Sequence, residues 1–311
     1  MPGLPGKLTV FSPSKINLHL AVGNIRQDGF HNLESIFLAV DLADILHFSL
    51  CGDIDSLEMT IQGFDSKAAE LIAAPQNNII SRAISLFKEK TGFDRGVNTV
   101  LEKRIPIGGG LGGGSSNAAA TLLALNKLAG LPCSRQALLE MAESLGSDVP
   151  FFVHEIPAAW ITGRGENIQP IEAPFISLVL VNPGFPSDTR TAFRLLDTYR
   201  DAHTEAQRHK DHGVLTSGFP SASSVPLRLC EIELGNDFLQ VFPDKEKAVY
   251  NRIISELQEQ GAAYANLSGA GSTCFGVFYD KKTALKAAEN LRGSRDFSVF
   301  YCNIYNQSSV F

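Results

Sequence analysis

The chain has 311 residues, 44% of them apolar and 19% charged, with a net charge of −6. A single hydrophobic core stops growing at roughly 250–300 residues, so two domains are expected. The acidic balance argues against nucleic-acid and anionic-membrane partners, which reward a basic surface, but it still permits a local cationic pocket for an anionic small molecule.

In chain order, residues 15–22 alternate strictly. Ile16, Leu18, Leu20 and Val22 fall on one face of a predicted strand, and Lys15, Asn17 and His19 on the other. The polar face reads equally well as a solvated surface or as part of a site. A polar turn through Asp28-Gly29 leads to a second strand over 36–40. Residues 77–90 form an amphipathic helix, and 97–101 a short strand ahead of Lys103-Arg104-Ile105-Pro106. A helix rich in Ala and Leu is expected over 115–129, and another from an N-cap at Ser134 to Gly146. The turn Ser147-Asp148-Val149-Pro150 follows.

The second half reads as a strand at 176–181, a short helix near Thr191, a polar insertion over 200–226, a helix at 244–260, strands at 263–268 and 273–279, a helix at 281–292 and a strand at 298–304. Without the insertion and the short helix, the order is β-α-β-β-α-β, the split βαβ arrangement. His203, His209 and His212 fall in the insertion, where a solvated loop is the simpler reading than a metal site. Five widely spaced cysteines without a CxxC pair argue for reduced thiols in a cytoplasmic protein. No apolar run reaches the roughly 20 residues that cross a bilayer, and no signal-peptide pattern opens the chain.

Residues 108–116 hold six glycines, one leucine and two serines. Glycine at this density costs backbone entropy, and what it provides is amide N–H groups that can converge on an anion without Cβ atoms in the way. The helix that starts there adds unpaired donors and the positive end of its dipole, which together suit a polyphosphate. The P-loop pattern fails, because Gly114 stands where its lysine belongs. The dinucleotide fingerprint fails too, for want of an acid about 20 residues on. A flexible linker is the bland alternative.

Several segments, in order, resemble the GHMP kinases (galactokinase, homoserine kinase, mevalonate kinase, phosphomevalonate kinase). They are Ser12-Pro13-Ser14-Lys15-Ile16-Asn17-Leu18, Asp28-Gly29-Phe30-His31, the run from Ile105 to Ala118, Gly146-Ser147-Asp148-Val149-Pro150 and Leu267-Ser268-Gly269-Ala270-Gly271-Ser272. The Lys15 and Phe30-His31 segments select the branch that acts on a cytidyl diphosphate sugar-alcohol in the non-mevalonate isoprenoid pathway. The implied fold is α+β in two domains. Residues 1–160 would form an N-terminal α/β nucleotide-binding domain, and residues 161–311 a C-terminal ferredoxin-like split βαβ domain.

The implied cofactors are ATP and Mg²⁺, the metal ligands unassigned, and the implied partner is the small-molecule substrate, with the chain a monomer or weak homodimer. Asp148 is implied as the general base and Lys15 as its partner. From the residues alone, helix capping would also explain Asp148 and a solvated strand position would explain Lys15. The resemblance assigns the triphosphate to Pro106, Ile107, Gly108, Gly109, Gly110, Leu111, Gly112, Gly113, Gly114, Ser115 and Ser116, and puts Asn78 near the adenine. Asn17, Phe30, His31, Lys103, Thr189 and Phe193 would meet the substrate. Phe30 departs from the tyrosine frequent at its position, which keeps stacking and loses a hydroxyl. The alternatives are a GHMP kinase for mevalonate, homoserine or a sugar, and a non-catalytic nucleotide-binding regulator.

Overall fold

The structure is a computed structural model that describes residues 6–61, 78–130, 133–202, 233–293 and 297–305. Two long strands, β1 (Lys7–Ile25) and β2 (His31–Cys51), pair antiparallel along nearly their whole length. β2 is the axis of the first sheet. Its other edge carries β5 (Ala158–Gly163) at one end and β4 (Gly96–Lys103) at the other. β3 (Ser56–Ile61) joins β4 in parallel, and β6 (Asn167–Pro170) joins β5. The second sheet contains β7 (Ser177–Asn182), β8 (Tyr264–Leu267), β9 (Cys274–Phe278) and β10 (Ser298–Asn303), in the order β10-β7-β9-β8 with every neighbour antiparallel. That is the split βαβ order expected from the sequence.

The chain passes from the first sheet to the second between Pro170 and Ser177, beyond the boundary expected near residue 160. Strands β3, β5 and β6 were not predicted. The first two residues of β5, Ala158 and Ala159, have little strand propensity, and only the pairing with β2 makes them a strand.

The molecule is layered. Helices α1 (Ile79–Thr91), α2 (Gly113–Leu128), α3 (Arg135–Leu145) and α4 (Val149–His154) cover the outer face of the first sheet, burying Phe37, Phe48, Leu101 and Ile161 against Phe87, Leu122 and Phe151. Its inner face packs Ile16, Leu18, Ile36 and Leu38 directly on Leu178, Leu180, Phe275 and Val277 of the second sheet. The alternate residues Val179, Val181 and Cys274 face outward, against α6 (Asp244–Glu259) and α7 (Lys281–Arg292). Period-2 alternation with both faces buried is what a sheet held between two layers requires.

Helix ends follow local chemistry. Asn78 caps α1 by accepting from the Ile80 amide at 2.9 Å, and Ser134 caps α3 by accepting from Ala137 at 3.1 Å. The short helix expected near Thr191 is a full element, α5 (Thr189–Ala202), so the insertion does not begin at Arg200. The Arg200 guanidinium donates to the carbonyls of Val22 and Gly23 and pairs with Asp237 at 3.2 Å, tying α5 to β1. His203, His209 and His212 lie outside the described residues. Cys51, Cys133, Cys274 and Cys302 are all unpaired, and burial pushes the Cys274 and Cys302 thiols well up. Among the described residues, no helix is long and apolar enough to cross a membrane.

Candidate active site

A cavity of about 1050 Å³ opens between the glycine turn, the first sheet and α5. Lys15 and Asn17, expected on a polar strand face, are both buried at its floor. Register shifts in the β1–β2 pairing on either side of this stretch break the strict alternation, so His19 leaves the shared face. Its ring lies parallel to Trp160, and its Nδ1 accepts from the Gly235 amide at 3.1 Å. Lys15 Nζ lies 3.3 Å from Asp148 Oδ2, donates to Asn17 Oδ1 at 2.6 Å and sits 4.3 Å above the Phe37 ring. Asn17 in turn donates to Ser35 Oγ at 2.9 Å.

Asp148 occupies the N-cap position of α4, yet its side chain makes no capping hydrogen bond. Pro150 in the first turn helps α4 begin without one. The carboxylate, 33% exposed, turns to Lys15, which is 5% exposed. At this separation and an effective dielectric of about 20, the Coulomb attraction is about 5 kcal/mol, reduced by the solvent that reaches Asp148.

The glycine turn joins β4 to α2. Its carbonyls are held from outside. Gly108 O accepts from the Ser187 amide at 2.9 Å, Gly109 O from Thr273 N at 3.1 Å, Gly110 O from Ser268 Oγ at 3.0 Å and Leu111 O from Lys15 N at 2.9 Å. The amides of Gly108 through Ser115 make no hydrogen bond among the described residues. The turn thus presents donors and hides acceptors, as an anion cradle must. Gly110 has φ +74°, and a Cβ there would lie 2.2 Å from the Ser268 carbonyl oxygen. Gly112, at φ +66°, caps α2 without a side chain, which leaves the first-turn donors open.

Pro106 through Ser115 all line the cavity, as does the cap residue Asn78. Two of the expected residues are placed differently from the rest. Ser116 is buried and turned away from the cavity, accepting from Ser12 Oγ at 2.7 Å, because one further residue rotates it to another helix face. Lys103 touches the cavity wall, but its ammonium is committed below the turn. It bonds Asp44 at 2.8 and 3.0 Å and also donates to the Ile105 carbonyl. Burial pulls the Lys103 pKa down, and Asp44 opposes that shift. Sequence reasoning missed Asp44, whose carboxylate also accepts from Arg104 N, Ile105 N and Asn117 Nδ2 at 2.7 to 2.9 Å, bracing the root of the turn. Asp44 lies 59 residues from Lys103 and in no motif.

At the far end of the cavity, His31 stacks on Phe193 with ring centroids 5.0 Å apart. The exposed Phe30 ring carries the Arg164 guanidinium 5.1 Å from its centroid. Thr189 begins α5 beside them. Arg190, Arg194 and Asp197 of α5 also line this end and were missed. Helical spacing was the signal that could have found them: Asp197 lies four residues after Phe193, and Arg190, Arg194 and Asp197 recur at i, i+4 and i+7.

Residues 78–155 match the GHMP kinases N terminal domain, and residues 228–294 match GHMP kinases C terminal. The chain is 34% identical over 287 residues to the 4-diphosphocytidyl-2-C-methyl-D-erythritol kinase of Thermodesulfovibrio yellowstonii, covering 92% of this chain and 95% of that one. It belongs to that GHMP kinase family. A second family member, from Prochlorococcus marinus strain AS9601, is 31% identical over 98% of this chain and 97% of its own. A crystal structure of 4-(cytidine 5'-diphospho)-2C-methyl-D-erythritol kinase superposes with a TM-score of 0.71 at 29% identity, over 95% of this chain and 99% of that one. A homoserine kinase from Cytophaga hutchinsonii, at 16% identity and a TM-score of 0.66, shares the fold. The glycine turn and the Lys15–Asp148 contact of this GHMP kinase both lie at the one cavity.

Proposed function

We propose that this kinase transfers the γ-phosphoryl group of ATP to the 2-hydroxyl of 4-diphosphocytidyl-2-C-methyl-D-erythritol, a step of the non-mevalonate isoprenoid pathway. The observation that carries this reading is the Asp148 carboxylate, turned from its helix to the Lys15 ammonium at 3.3 Å beside the glycine turn. Asp148 accepts the proton of the attacking hydroxyl. Lys15 lies within ion-pair reach of Asp148 and stabilises the charge that develops on the oxygen. Asn17, fixed between Lys15 and Ser35, orients the hydroxyl. The free amides from Gly108 to Ser115 and the α2 dipole receive the triphosphate, with Asn78 near the adenine. Phe30, His31 and Phe193 take the cytosine.

Mg²⁺ fits the donor set. Asp148 and Ser115 are the cavity oxygens beside the turn that would hold it, and among the described residues no three His, Cys, Asp or Glu side chains gather into a metal cage. That suits an ion which arrives on the triphosphate and keeps most of its water. When bound, it neutralises charge on the phosphoryl group. The chain works in the cytoplasm, on a small molecule, as a monomer or weak homodimer.

The test is a coupled assay of ADP release with ATP, Mg²⁺ and, in turn, the cytidyl compound, mevalonate, homoserine and a sugar. Turnover with the cytidyl compound alone is expected. Turnover with another acceptor and none with it would overturn the reading, as would ATP binding with no turnover at all.

A further inference from the structure

In the β1–β2 ladder Asn17 stands opposite Phe37, and Lys15 stands opposite Ala39. Residues opposite one another in an antiparallel pair point to the same face, and a diagonal neighbour two positions along stays within reach of a long side chain. The Phe37 ring thus comes beside the Lys15 side chain, with Nζ 4.3 Å from its centroid. The ring has little freedom. It is 5% exposed and meets Phe151 edge to face at 5.3 Å, and Phe151 meets Phe152 in the same way at 5.2 Å. The Lys15 ammonium carries three N–H donors. One goes to Asn17 Oδ1 at 2.6 Å, and one faces Asp148 Oδ2 at 3.3 Å. Among the described residues, no acceptor takes the third.

We infer, resting on the phosphoryl-transfer reading above, that Phe37 is a positioning residue whose ring face holds the Lys15 ammonium at the cavity floor and leaves one N–H for the reacting oxygen. A ring face attracts a cation through its quadrupole, most strongly where water is excluded, and it does so without the lone pair of an oxygen acceptor. An oxygen in its place would take the third N–H as a hydrogen bond and turn it away from the substrate. An aliphatic side chain would let the ammonium swing toward Asp148, the side that solvent reaches. The ring supplies attraction and keeps the donor available, so its effect on the reaction runs through Lys15. Phe37 also belongs to the core cluster between the first sheet and its helices, so its shape and its charge distribution must be separated by experiment.

The experiment replaces Phe37 of the full chain, by nonsense suppression, with mono-, tri- and pentafluorinated phenylalanine. Fluorine withdraws negative charge from the ring face and leaves the shape nearly unchanged. Steady-state kinetics are read with whichever acceptor turns over in the coupled assay, beside a melting curve of each protein. Along the series kcat should fall stepwise, by about tenfold at the pentafluorinated ring, while KM for ATP and the melting temperature stay nearly constant. Phe37→Leu should lose at least as much kcat. A kcat that stays flat along the fluorinated series overturns the inference and leaves the transfer reading standing, even with Phe37→Leu impaired, because the ring would then act by shape alone. A kcat that falls only in step with the melting temperature overturns it too. A wild type that turns over no acceptor overturns both.

Discussion

Folding has taken the Lys15 ammonium out of water and given it three partners: the Asp148 carboxylate, the Asn17 carbonyl oxygen and the face of Phe37. An ammonium so buried holds its position without solvent competition, which is what a group stabilising a developing alkoxide needs. Asp148 is a third exposed, so substrate can reach it. Replacing Asp148 with Asn keeps the volume and removes the proposed proton acceptor. Steady-state kinetics should show kcat down by about 10²–10⁴-fold, while calorimetry shows ATP-analogue affinity unchanged. A near-normal kcat would refute the base assignment. The family resemblance implied that Lys15 and Asp148 meet, but nothing in their spacing or periodicity could show it. A helix cap was the alternative explanation of Asp148, and its side chain makes no capping hydrogen bond.

The glycine turn is an element whose conformation comes from its neighbours as much as from its own sequence. Ser187, Ser268 and Thr273, all from the second half of the chain, hold three of its carbonyls. Gly110 cannot take a side chain without displacing that contact, since its Cβ would strike the Ser268 carbonyl and its φ is left-handed. Gly110→Ala should therefore shift the turn by part of an ångström or more and lower kcat/KM by about 10²-fold or more, with KM for ATP raised. The change in melting temperature should be small by comparison. The density of glycine announced the turn. The carbonyls' partners lie at least 70 residues away in sequence and gave no local signal.

Helix α7 offers a pH test at the same scale. Its cap Asp280 accepts from the Thr283 hydroxyl and amide at 2.6 and 2.7 Å, which hold its pKa below the ordinary 3.8. A carboxylate depressed in the folded state adds stability above its unfolded pKa and loses it as pH falls through the lower folded value. Asp280→Ala should melt below wild type at pH 7, with the gap closing as the pH drops below about 4. A gap that stayed constant to pH 2 would exclude this linkage.

At the scale of the whole molecule, the two sheets share one core. Phe275, fully buried, packs with Leu178 and Leu180 of its own sheet in the cluster that includes Ile16 and Leu18 of the other. Phe275→Ala should cost about 3–5 kcal/mol. Because the two sheets share that core, they should unfold together, and denaturant melts followed by fluorescence and by circular dichroism should stay coincident and shift as one. Separate transitions would mean that the sheets are independent domains joined by a weaker contact.

By itself, the sequence determined the local chemistry of this protein. Ser134 and Gly146 set helix ends, strict alternation set the first strand, an apolar run ahead of Asn182-Pro183-Gly184 set β7, and glycine density set the anion turn. Each of these depends on residues within a few positions of one another. Tertiary structure alone decided what depends on distant pairing. Ala158 and Ala159 became strand because β2 offered an open edge, Lys103 was committed to Asp44 and not to a ligand, Ser116 rotated onto Ser12, and Asp197 came to hold His31. The free energy of those contacts arises from burial and hydrogen bonding between segments 59 to 166 residues apart, a separation at which neither propensity nor periodicity carries information.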